Sequence, residues 1–307
     1  MNALKTLSAV GIASIFLLAA CGNDSTEEDS AEEDSAEAGG DINYSEEVDY
    51  TITGIEPGAG VTETANNTLD TYDNLDGWEL EESSTVGMLA QLADAISNKD
   101  PIIVTGWIPH HKFLQYDLKM LEDPEGTMGE SESAHTITRL GLEEDMPDAY
   151  KLLDAFNWEL DDVEQVMYEA EDSDVETAAS NWVEDNPDKV DEWTENIEEA
   201  DGEKIEIGSM PWEAEQASAA VMEQVLTEYG YDVTVTEVDP AILFESIAGD
   251  SVDATVAPAL PITQGHLYDR YEGEFVDLGP NLDGLQNGFV VPEYMDIDSI
   301  EDLEPKE

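Results

Sequence analysis

The chain has 307 residues, enough for one large or two modest domains with a proper core. It carries 75 acidic against 10 basic residues, a formal net charge of -65, and this excludes nucleic-acid binding, which needs a basic footprint. Apolar residues make up 41% and fall in periodic segments, so most of the chain folds despite an acidity that elsewhere marks disorder.

Residues 1–20 (MNALKTLSAVGIASIFLLAA) set one lysine before an apolar run too short for a comfortable membrane span. The run ends Leu18-Ala19-Ala20-Cys21-Gly22, which looks like the lipobox of a bacterial lipoprotein signal. Cys21 is the only cysteine, so no intramolecular disulfide can form. It reads as the acylated N-terminus left when residues 1–20 are removed; a stray cytosolic thiol is the bland alternative. Residues 23–49 hold Asp, Glu, Ser, Ala and Gly almost exclusively, and 21–49 is expected to be a lipidated, acidic, disordered tether. The globular body then sits outside the cell membrane, lipid-anchored and facing the extracellular side. There the self-repulsion of so acidic a body would be relieved near 1 M salt, where the Debye length is about 3 Å. The composition therefore predicts a protein that works in brine, against the alternative of a generically acidic surface.

The body opens with a strand, Tyr50–Ile55, and the turn Glu56-Pro57-Gly58-Ala59-Gly60-Val61. A helical stretch over 62–69 follows, so the turn forms a nest of backbone N–H groups suited to an anion. A tight turn without a ligand is an equal reading. Met88, Leu89, Leu92, Ala95 and Ile96 repeat at helical spacing. The β-branched run Ile102-Ile103-Val104 then predicts a buried strand that stops in Thr105-Gly106-Trp107-Ile108-Pro109. Trp107 is either filler or the wall of a site at a strand end.

Beyond a polar stretch, 140–156, 160–171 and 181–193 are helix-like, with Pro187 as a helix start. Ile205–Gly208 restarts a strand, and Ser209-Met210-Pro211-Trp212 repeats the device of strand, Pro and Trp. A helix carrying Ala214, Ala217, Val221 and Val225 follows, then a strand (231–238), a short helix (242–247) and strands at 252–256 and 289–291. Strands alternating with helices imply α/β layers with largely parallel sheets. Trp158, Trp182 and Trp193 fall in helical stretches and read as packing.

Several long motifs resemble one family. They are Ile52-Thr53-Gly54-Ile55-Glu56-Pro57-Gly58-Ala59-Gly60, Thr105-Gly106-Trp107-Ile108-Pro109-His110, the run from Tyr116 to Pro124, His135-Thr136-Ile137-Thr138-Arg139 and Phe156-Asn157-Trp158. They are similar to the glycine betaine-binding lipoproteins of ABC importers, of the OpuAC type, over about 50–303. The segment resembling 205–303 follows the one resembling 50–196, the permuted order of that branch. The resemblance implies a type II periplasmic-binding-protein fold, α/β, with a ligand cleft between two lobes. Lobe I would be about 50–134 with about 293–307, and lobe II about 135–292.

The resemblance also implies the chemistry. Trp107 and Trp212 would be two walls of an aromatic cage for a quaternary ammonium, and Gly60 and Val61 would offer N–H groups to the ligand's carboxylate. Two positions depart from the family pattern. Ala259 stands where close relatives have a third Trp, and Gln264 where they have a carboxylate-binding His, although its amide still donates. Tyr268, His111 or Phe289 are candidates to close the gap, and His266 to replace the imidazole. The implied partners are a quaternary-ammonium osmolyte and the permease and ATPase subunits of an ABC transporter, with the chain itself a monomer; choline, carnitine, proline betaine or ectoine are alternative ligands. No cofactor or metal is implied. An acidic cell-surface enzyme using His110 and His111 with Asp117 and Glu122 is the rival, but no metal-ligand spacing supports it.

Overall fold

Residues 42–129 and 131–307 are described by the computed structural model of the chain. Cys21, the signal segment and most of the acidic tether lie outside the described residues. The end of that tether is ordered, contrary to expectation. Asn43 caps a short helix, Tyr44–Glu47, by accepting from the N–H groups of Ser45 and Glu46. Tyr44 and Val48 pack on the core, and the Ser45 hydroxyl accepts from the Glu304 N–H at 2.8 Å. Two apolar anchors in an otherwise polar run are enough to dock it against the C-terminal segment.

Ten strands are formed among the described residues: β1 (Thr51–Thr53), β2 (Glu79–Glu81), β3 (Val104–Ile108), β4 (Leu118–Met120), β5 (Glu132–Arg139), β6 (Lys204–Ser209), β7 (Asp232–Glu237), β8 (Ala254–Thr255), β9 (Ala259–Leu260) and β10 (Phe275–Pro292). Their order is β2-β1-β3-β10-β5-β8-β6-β7, with β4 also on β10 and β9 also on β5. The two outer sections, β2-β1-β3 and β8-β6-β7, are parallel, as alternating strands and helices demand. Between them β10 runs antiparallel to β3, β4 and β5.

Helices cover the sheet around two apolar cores. One gathers Ile52, Leu92, Ile103 and Phe289 with the helices Gly60–Thr71 and Thr85–Asn98. In the second helix Met88, Leu92 and Ala95 fall on one face and are buried there. The other core gathers Leu152, Val166, Trp182 and Val221 under the helices Pro147–Ala155, Leu160–Asp172, Val175–Asp185 and Glu213–Glu228. Trp182 stacks on Trp193 at 5.7 Å between centroids, and Trp158 meets Trp182 edge-on at the same distance. These three rings are packing, as expected, although Trp158 lies between two helices rather than within one. The whole is the α/β arrangement expected.

Several strand readings change. The strand at 102–104 instead begins at Val104 and runs through Trp107 to Ile108, because β10 supplies an antiparallel ladder from Val290↔Val104 to Gln286↔Ile108. The short strand at 289–291 is the end of β10, an 18-residue strand. Gly279, Pro280 and Gly284 hid its first part; they fall where the ladder with β5 shifts register. The second half of β10, given to lobe II from sequence, pairs with β3 and β4 alongside the first core. β5 lies in the stretch that reads as polar, because Glu132, Thr136 and Thr138 are among its buried residues.

Lys112, in the turn after β3, is fully buried, and its Nζ has no hydrogen-bond partner. The ammonium lies 4.4 Å from the Trp107 ring centroid and 5.1 Å from that of Phe113. Burial pushes it down to about 7, against the pull of the Glu213 charge. An unfolded lysine stays protonated to about 10.4, so the stability cost of burying it is full below pH 7 and is relieved as pH rises. Lys112→Met is expected to raise the melting temperature by several degrees at pH 6, and by less at pH 9. Equal melting of the two proteins at both pH values would contradict this.

Candidate functional site

The helix Gly60–Thr71 begins after Ala59, which caps it with no side-chain hydrogen bond. The N–H groups of Thr62 and Glu63 turn back to the Ala59 carbonyl, at 3.0 and 3.2 Å. Those of Gly60 and Val61 have no partner among the described residues, so the positive end of a three-turn helix is left open. Gly60 is required here for space: a Cβ would lie 2.3 Å from the Thr263 carbonyl oxygen.

That close approach is held from the other side by Glu132 at the start of β5. Its carboxylate accepts from the N–H groups of Ile262 and Thr263, at 2.9 and 3.0 Å, and from the Thr263 hydroxyl. Asn287 of β10 donates to the same hydroxyl at 2.6 Å. The loop after β9 is thereby clamped against the helix start. Within it, the Gln264 Oε1 accepts from the Ala259 N–H at 2.7 Å. Only the amide oxygen can accept, so the Nε2 of this buried side chain is left as a donor.

The indoles arrive from two other elements. Trp107 sits on β3 opposite Asn287, with its ring edge-on to His110 at 4.6 Å. Trp212 precedes the helix Glu213–Glu228 and is buried, and its Nε1 has no hydrogen-bond partner. All five residues singled out from sequence, Gly60, Val61, Trp107, Trp212 and Gln264, line one cavity of about 470 Å³, open solvent at its mouth included. Ala259 lines it too.

None of the suggested substitutes for a third aromatic wall belongs to this lining. Tyr268 donates to Asp277 and lines a separate cavity. His111 is hydrogen-bonded to Glu213 at 2.5 Å, and Phe289 is fully buried. His266 pairs with Glu63 at 3.1 Å, half exposed, rather than replacing an imidazole in the lining. The sequence reading missed Glu132, Thr263, Asn287 and Glu215, all of which line the cavity. Glu215 alone had a signal, since it follows Trp212 by three residues at a helix start and so shares its side.

His110, His111 and Glu213 bring donor atoms within 4.8 Å of one another. His110 Nδ1, His111 Nδ1 and Glu213 Oε2 are, however, already engaged within the chain. His110 Nδ1 accepts from the Lys112 N–H at 3.1 Å, and burial, with the Lys112 and His111 charges, pushes this imidazole down to about 2. The hydrogen bond to Glu213 holds His111 above its ordinary value despite burial, which makes the pair an internal ion pair beside a buried lysine. Asp117 and Glu122 take no part in this group.

The chain matches the family model described as the substrate-binding domain of ABC-type glycine betaine transport systems, over residues 28–185 and 203–307. It is 43% identical over 292 residues to the glycine betaine/carnitine transport binding protein GbuC of Listeria monocytogenes, covering 94% of each chain. Among solved structures, lactococcal OpuAC in its closed form with glycine betaine is 47% identical over 50% of this chain and 61% of that one, with a TM-score of 0.48. A glycine betaine/L-proline-binding protein (ProX) of Borrelia burgdorferi is 35% identical over 49% of this chain and 58% of that one, with a TM-score of 0.46. On the family model and the near full-length relative, the chain belongs to the OpuAC family, the substrate-binding domains of ABC-type glycine betaine transport systems.

Proposed function

We propose that the chain is the extracytoplasmic receptor of an ABC importer for a quaternary-ammonium or sulfonium compatible solute, with glycine betaine as its reference ligand. One observation carries this reading: two indoles, two unpartnered helix N–H groups and a free amide donor converge on one cavity. A trimethylammonium group has charge but no donor hydrogens. Hydrogen-bond acceptors recognise it poorly, whereas aromatic faces attract it and take up its methyls. Trp107 and Trp212 serve that end. The ligand's carboxylate goes to the Gly60 and Val61 N–H groups, where the helix dipole favours an anion, and to the Gln264 amide.

The cavity walls come from β3, from the start of the helix Glu213–Glu228 and from the loop after β9, so capture proceeds by closing these elements around the ligand. The two lobes that close are those built on the two cores. The loaded receptor then delivers its ligand to the permease and ATPase subunits. Ala259 favours a second reading, in which a bulkier betaine such as carnitine fills the space of a missing ring. One aromatic wall contributes about 0.5–2 kcal/mol, or 2- to 30-fold in affinity.

A calorimetric panel in molar salt decides the ligand: glycine betaine, proline betaine, choline, carnitine, dimethylsulfoniopropionate and ectoine. Trp107→Ala and Trp212→Ala are each expected to weaken binding at least tenfold, and unaltered affinity in both would refute the cavity assignment. Ala259→Trp is expected to tighten glycine betaine, whereas no gain would mean that the space is already filled.

The net charge of -65 supports a working environment of concentrated salt. Melting temperature is expected to rise from low to molar NaCl; a flat or falling curve would sink this part of the reading. Anchoring through an acylated Cys21 completes the proposal. It predicts that cells fed labelled palmitate label the wild type and leave Cys21→Ser unlabelled.

A further inference from the structure

Two carboxylates line the cavity, and they differ in kind. Glu132 is satisfied by three donors of the clamped loop. Glu215, on the first turn of the helix after Trp212, is not. Its Oε2 exposes less than 1 Å² and has no hydrogen-bond partner. No cation lies within ion-pair distance of it among the described residues. A carboxylate oxygen shielded from water without a partner is costly, and the lining position of this half-buried side chain offers it one from outside the chain.

The charged groups around it are already engaged. Glu213, on the same turn, holds His111. His110 is neutral, its Nδ1 taken by the Lys112 N–H. Lys112 points its Nζ at Trp107 and Phe113. Glu132, from β5, is held by Ile262 and Thr263.

Resting on the cavity reading above, we propose that Glu215 is the counter-charge of the site, giving the ligand's cation the attraction that Ala259 cannot. Recognition then combines two aromatic faces with one carboxylate, in place of a third ring. Capture is also coupled to a proton. Burial pushes the Glu215 carboxyl up to about 7, its own backbone N–H pulls the other way, and the Glu213 charge adds to the rise. The free protein therefore holds this group partly protonated at neutral pH. A cation at contact favours the carboxylate, so binding releases the proton to the buffer. Affinity for the cation then rises with pH up to about 7 and flattens above it, by at most tenfold per pH unit on the acid side.

The test is calorimetry in molar NaCl from pH 5.5 to 8.5, in two buffers of different ionisation enthalpy, on wild type and Glu215→Gln. The titrant is whichever member of the ligand panel binds the wild type. Wild type is expected to release a fraction of a proton near pH 7 and to bind about tenfold or more tightly at pH 8 than at pH 5.5. Glu215→Gln is expected to bind about tenfold more weakly than wild type at pH 8, with no pH slope and no proton release.

A flat, proton-neutral wild-type profile overturns the proposal without any variant. So does Glu215→Gln with unchanged affinity, or with the slope retained, which would assign the slope to His111. Failure of every panel member to bind the wild type overturns the cavity reading itself, and this proposal with it.

Discussion

One extended strand, Phe275–Pro292, fixes the position of the cavity. Its first part is laddered to β5 and its second to β3 and β4, so a single backbone is shared by both cores. Trp107 is positioned by that ladder, opposite Asn287, and Asn287 in turn donates to the Thr263 hydroxyl that Glu132 also holds. The loop carrying Gln264 and the helix start at Gly60 follow from the same clamp, since Gly60 has no room for even a methyl group beside Thr263. Sheet, clamp and helix end form one chain of contacts.

What the clamp presents is a set of groups left without partners. In most of a folded protein, buried donors and acceptors are paired because an unmade hydrogen bond costs about 1–3 kcal/mol. Here the Gly60 and Val61 N–H groups, the Trp212 Nε1 and the Glu215 Oε2 remain open around one space, while the neighbouring Glu132 is fully satisfied. Satisfied groups hold the frame, and on the proposed reading the unpartnered groups that line the cavity serve the ligand. The same logic separates His110, His111 and Glu213, whose polar atoms are turned on one another or on the backbone.

Legibility in the sequence followed this division. The helix of Met88, Leu92 and Ala95 and the run at Ile103 and Val104 were readable because apolar periodicity reports burial directly. The five lining residues were readable because the motifs around Trp107, Trp212 and Gly60 resemble a known family. β5 was not, because polar Glu132, Thr136 and Thr138 are among its buried residues, which leaves no hydrophobic alternation. The first half of β10 was broken up for the eye by Gly279, Pro280 and Gly284, which a bulged ladder tolerates. Glu215 was one acid among 75, and only tertiary structure separates an acid in a cavity from one in solvent.

That separation bears on selectivity. A net charge of -65 draws every small cation toward the surface, so charge alone cannot distinguish an osmolyte from sodium. In concentrated salt the Debye length is about 3 Å, and long-range attraction is screened for both. What remains acts at contact, where hydration differs: sodium carries a tightly held water shell, while a methylated ammonium has no donor hydrogens to anchor one. On the proposed reading, a cavity walled by Trp107 and Trp212, with a carboxylate oxygen exposing less than 1 Å², requires its cation to arrive without water. Entry is therefore costly for sodium and cheap for the methylated cation. On that reading the acidic exterior and the aromatic interior answer to different solvents, and Glu215 discriminates because its Oε2 is shielded from water.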